Sequence, residues 1–145
     1  MAFLHHLAAF TVVAALAVEV ALFKPPLSIP QARRLQRIDQ IFGVAATAVL
    51  IVGLLRVFYF EKSPGYYWHD TFFLMKFAAF LLAGLISVYP TVVFLRWKSA
   101  LRAAEAPAVP AEIGRRVRVC LMLELTCIVV ILLGAALMAR GFGYR

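Results

Sequence analysis

Six ionisable side chains lie inside otherwise apolar stretches of this sequence: His5, His6, Glu19, Arg56, Lys76 and Glu124. Charge is costly in hydrocarbon, so each is a functional candidate by default. A neutral imidazole ligates a transition metal or haem iron, which makes His5 and His6 the candidate metal ligands. Arg56 and Lys76 supply the positive charge that acidic groups such as haem propionates want, through charge-assisted hydrogen bonds. The blander role for Arg56, Lys76 and Arg140 is to snorkel to the headgroups. Glu19, Asp39 and Glu124 read as structural polar residues within the membrane, expected to pair with Arg33, Arg34, Arg37 or Arg118 and so lock helices together. Cys120 and Cys127 read as small apolar packers. Seven helical residues hold them about 10 Å apart, too far for a disulfide. A metal site from Cys120, Glu124 and Cys127 is weak, because no histidine lies at their depth.

Apolar helices must carry these groups. The chain is 64% hydrophobic with a mean hydropathy of +0.91, against about 45–50% apolar for a soluble domain. Four apolar runs have the length of a spanning helix: about 2–23, 38–59, 71–95 and 117–139. The first has no basic residue before its core and is too long for a signal peptide, so it is expected to be retained. The fold class that follows is all-α, an integral membrane antiparallel four-helix bundle forming a single domain over residues 1–145.

The net charge of +8 belongs to topology, and no nucleic-acid partner is expected. The first connection holds Lys24, Arg33, Arg34 and Arg37. The third holds Arg96, Lys98, Arg102, Arg115 and Arg116, with Arg118 just beyond, while the second holds only Lys62. Basic residues accumulate in cytoplasmic loops. The first and third connections are therefore expected inside, against anionic lipid, and both termini outside. The expected location is the bacterial inner membrane. The second connection carries a Pro64-Gly65 turn followed by Tyr66, Tyr67 and Trp68, which suit the headgroup level or a lid over an outer site.

Helical spacing groups the polar residues with small ones. His5, Ala9, Val12, Leu16 and Glu19 share one stripe; Phe42, Ala46, Val49, Gly53 and Arg56 a second. Lys76, Ala79, Ala83, Ser87 and Pro90 share a third; Cys120, Glu124, Cys127, Gly134 and Met138 nearly a fourth. Small residues let membrane helices approach closely, so these faces are expected to look into the bundle. Depth divides the charges into two layers. An outer layer holds the histidines, Arg56, Lys76 and Arg140, with Glu61 and Asp70 nearby. An inner layer holds Glu19, Asp39 and Glu124.

Most of the chain resembles a family of small bacterial four-span membrane proteins filed as a domain of unknown function. The resemblance lies in Leu4–Phe10, Gln31–Arg34, Gly53–Lys62, Tyr89–Thr91, Phe94–Trp97 and Met138–Gly141. More distantly, it is similar to the HemJ-type protoporphyrinogen oxidases and the membrane part of CopD-type copper proteins. His5 or His6 matches the histidine opening the HemJ-type first span, and Arg33-Arg34 the pair entering the second. Met75-Lys76-Phe77 matches the lysine context of the third, and Glu124 the acidic residue of the fourth. That resemblance implies haem b and an oxidoreductase. The chain departs from it at Ser87–Pro90, where those sequences carry a further histidine, and at Val12 or Val13, where they carry tryptophan.

The expected function is a haem- or porphyrin-binding redox protein, its site in the outer half between the first three spans, with His5 favoured as ligand over His6. No two spans present facing histidines, and His69 lies in a connection, so a bis-histidine cytochrome is not indicated. A non-enzymatic accessory subunit of a larger membrane complex, and a copper or small-solute carrier, are the competing readings. A homo-oligomer also stays open.

Overall fold

The computed structural model describes residues 2–60 and 71–140. Glu61, Lys62, the turn and aromatics of the second connection, His69, Asp70 and Gly141 lie outside the described residues. The described chain consists of helices: α1 (Ala2–Leu22), α2 (Ile29–Leu55), α3 (Thr71–Arg96), the short α4 (Lys98–Arg102) and α5 (Ala111–Ala139), with a π-helical turn, Arg56–Phe60, continuing α2. Four of these are long and apolar enough to cross a membrane.

Local chemistry sets where the helices begin, and two of them begin before their apolar runs. α2 starts at Ile29 because Ser28 and Gln31 form a capping box. The Ser28 hydroxyl accepts from the Gln31 N–H at 3.4 Å, and the Gln31 side chain accepts from the Ser28 N–H at 3.0 Å. Each satisfies a donor that the first turn leaves open. α5 starts at Ala111, directly after Pro110. At the end of α4, Ala104 takes a left-handed φ of 57°. Its N–H bonds Leu101 O, and the Glu105 N–H bonds Ala100 O at 2.9 Å, a Schellman closure with alanine in the position glycine prefers.

Packing is pairwise first: α1 lies along α2 and α3 along α5, with lighter contact between α1 and α5 and between α2 and α3. The start of α1 meets the end of α2, where His5 touches Gly53, and the start of α3 meets the end of α5, where Met75 and Lys76 touch Gly134. One main core joins both pairs through Leu16, Leu35, Phe94, Val117 and Leu121. Phe94 packs between Phe23 and Trp97, its ring centroid 6.0 and 5.0 Å from theirs. Two side chains of α2 hold the end of α3 and α4. Gln36 Nε2 donates to Phe94 O at 2.5 Å, and an Arg33 guanidinium N–H donates to Leu101 O at 3.2 Å.

Away from that core, α1 buries nothing before Val12 and α2 nothing between Ala45 and Val57. Around the outside, Phe3, Phe10, Val44 and Leu85 each leave more than 70% of their surface uncovered. Water would penalise such a surface heavily, whereas lipid covers it without cost.

Candidate functional site

The faces expected to look inward do so. Val12, Leu16, Glu19, Phe42, Ala83, Pro90, Glu124, Cys127 and Gly134 are buried, and the remaining members of the four stripes are half-buried. This places the candidate residues in two groups at opposite ends of the helices.

The first group surrounds His5. Its imidazole lies over Gly53 of α2, where an added Cβ would stand 3.2 Å from His5 Cε1. A Cβ here would press the ring back by a few tenths of an ångström, so glycine favours its close approach to the α2 backbone. Arg56 follows three residues on, half-buried, in the first position of the π-helical turn. Such single π turns concentrate at functional positions. His6 points elsewhere. It is exposed, and its Nδ1–H donates to Ala2 O of its own helix at 2.7 Å. The two histidine rings stand edge to face, 6.1 Å apart. Lys76 is turned toward α5. Its ammonium donates to Met138 Sδ at 3.4 Å and lies 5.3 Å from the centre of the Phe73 ring. Arg140, the last described residue, is exposed. His5 and Arg56 thus belong to the α1–α2 pair and Lys76 to the α3–α5 pair, so a molecule using all three spans the seam between pairs.

The second group is the carboxyl set. Glu19 is 2% exposed, Asp39 6% and Glu124 1%. They come from α1, α2 and α5, and the three carboxyls lie close enough to repel one another. α3 completes the group through Thr91, whose hydroxyl donates to Asp39 Oδ1 at 2.7 Å. The expected pairing with arginines is not what forms. Among the described residues, no cation lies within ion-pair distance of these carboxyls, and Oε1 of both Glu19 and Glu124 is buried with no hydrogen-bond partner. The arginines are occupied or outward: Arg33 holds Leu101 O, while Arg34, Arg37 and Arg118 are exposed. A guanidinium at the headgroup level keeps its water, and following a carboxyl into the core would strip it. Thr91 was the residue sequence reasoning missed; its signal was its place directly after Pro90, the last residue of the α3 stripe.

Beside this group, a groove of about 330 Å³ runs between α1 and α5, lined by Val20, Phe23, Lys24, Arg118, Leu121 and Met122. A second, of about 280 Å³, adjoins it at Pro25, Gly114, Arg115 and Arg118. Cys120 and Cys127 are free thiols. Among the described residues, no three His, Cys, Asp or Glu side chains are placed to hold a metal ion together.

Residues 1–143 match the DUF2214 family, described as a predicted membrane protein, and the chain belongs to that family. No curated protein and no solved structure matches it.

Proposed function

We propose that this chain is a membrane redox protein that binds haem b, or another porphyrin, in the half of the bundle that carries His5. The observation that carries this reading is the His5 imidazole laid on Gly53 one turn before Arg56. It lies in the region where α1 and α2 leave their inward faces half-covered. A single imidazole is a sufficient protein ligand for haem iron, and cations beside it suit the propionates. These residues therefore fit the group. When bound, haem would supply one-electron chemistry. The chain's own part is to present the His5 nitrogen, to fix its ring against the α2 backbone, and to offset carboxylate charge with Arg56 and Lys76.

The same reading places the protein in the bacterial inner membrane as an antiparallel bundle with both termini outside. The contacts of His5 with Gly53, and of Met75 with Gly134, support antiparallel pairs. The bond from Arg33 to Leu101 supports placing the two basic connections on one side, which the positive-inside rule makes the cytoplasm, facing anionic lipid. An accessory-subunit role is favoured by one observation: at Gly43 and Gly84, both exposed, a Cβ would meet nothing within 4 Å. Such open glycines can receive a partner helix.

An absorption spectrum of detergent-purified protein tests the main reading. A Soret band is expected in the wild type, lost in His5→Ala and retained in His6→Ala. Gly53→Val, which crowds the ring, should reduce occupancy about tenfold, the equivalent of about 1.4 kcal/mol. A colourless wild type reconstituted with haem sinks the porphyrin reading in favour of the accessory subunit.

A further inference from the structure

We propose that Glu19, Asp39 and Glu124 form a proton-binding site near the basic end of the bundle, supplied through the groove between α1 and α5. Two kinds of observation carry it. The first is the composition of the site. Three carboxyls from three helices are buried in apolar surroundings, near enough to feel one another's charge, and Thr91 supplies one hydroxyl donor, to Asp39. The second is the pair of Oε1 atoms of Glu19 and Glu124, fully buried and without a donor. A carboxylate accepts hydrogen bonds but cannot donate one, whereas a carboxylic acid brings its own O–H. Protonating a member of the set therefore turns a bare acceptor into a group with its own O–H and removes a charge that hydrocarbon and like neighbours oppose.

The groups facing the site from each packed element are Glu19 on α1, Asp39 on α2, Thr91 on α3, and Glu124 with Cys120 and Cys127 on α5. Lys24 and Arg118 line the groove rather than the site. That groove comes within one helical turn of both glutamates. Phe23 lies one turn after Glu19, its N–H bonded to Glu19 O at 2.9 Å, and Leu121 lies one turn before Glu124. The step is an acid–base exchange only. A proton leaves water at the groove mouth and joins a carboxylate oxygen; no electrons move, and one negative charge is cancelled inside the membrane. The site is independent of porphyrin binding at the other end.

Dicyclohexylcarbodiimide, which attacks protonated carboxyls in apolar surroundings, is the probe. It is applied to the full-length protein in native membranes, with the modified residue located by mass spectrometry. Modification of Glu19 or Glu124 is expected, several-fold greater in mildly acidic than in alkaline buffer, with exposed Glu105 and Glu112 unlabelled. Glu19→Gln with Glu124→Gln should abolish it. If that double variant does not accumulate, infrared spectra of the wild type decide: a carboxylic-acid C=O band that fades as the pH is raised supports the site. Absence of both label and band overturns the proposal. Protection of the label by sodium or calcium chloride, but not by choline chloride at equal ionic strength, would make the occupant a metal ion and also overturn it.

Discussion

The two ends of the bundle are built on different terms. At the end bearing Phe94, all four long helices share one core, their polar atoms are tied by Gln36, Arg33 and Thr91, and Glu19, Asp39 and Glu124 are buried. At the end bearing His5, α1 and α2 leave their inward faces half-open, and among the described residues the buried cluster there is Val57 with Phe73, with Met138 packed against it. In a membrane, helices gain little from the hydrophobic effect on meeting each other, so close packing and interhelical hydrogen bonds decide where a bundle is firm. The comparison teaches that one end is closed by a core shared among all four long helices, while at the other α1 and α2 leave their inward faces half-covered. The groups at the firm end still pose a chemical problem, because packing alone does not solve three buried carboxyls.

Substitutions can break this contrast or sharpen it. The largest effect is expected from Phe94→Ala, which empties the centre of the shared core. It should cost about 3–5 kcal/mol, read as a loss of resistance to unfolding in sodium dodecyl sulfate. Thr91→Val removes the donor to Asp39 Oδ1 but keeps the shape. A loss of about 0.6–1.7 kcal/mol is expected in the same assay, the range for hydrogen bonds between membrane helices. His5→Ala should change stability by less than about 0.5 kcal/mol, as substitutions away from a packed core do, while removing any porphyrin absorbance. Equal losses for Phe94→Ala and His5→Ala would erase the distinction between the ends. An effect of opposite sign is expected at Ala104, held at a positive φ. Glycine there should raise stability by about 1 kcal/mol or less, seen as slower proteolysis of the loop after α4.

Most of the architecture was legible from hydropathy alone. Four apolar runs became four long helices, and the small-residue stripes became the inward faces because helical periodicity leaves no other arrangement that hides His5, Glu19 and Glu124 from lipid. The helix starts were less legible. A capping box such as Ser28–Gln31 acts in the headgroup zone, where hydropathy has already fallen, so α2 began at Ile29 and not at Ile38. The carboxyl set was legible by depth but not by partner. Sequence shows that arginines lie nearby, but not that burial would strip their water. Nor does it show that Lys76 would turn to Met138, a choice made by packing between α3 and α5.

The pairwise packing of the helices also bears on how the protein is made. α1 and α2 leave the ribosome together and can enter the bilayer as a hairpin, joined by the few residues between Leu22 and Ile29. That hairpin already carries Glu19 and Asp39, along with Gln36 and Arg33, but none of their later partners. Thr91, the Phe94 and Leu101 carbonyls and Glu124 arrive only with the second hairpin. The half-made protein therefore lacks the hydrogen bonds that join α2 to α3 and α4. Those bonds form only when the second hairpin joins the first, so the order of synthesis leaves α2 to wait for the partners of its polar side chains.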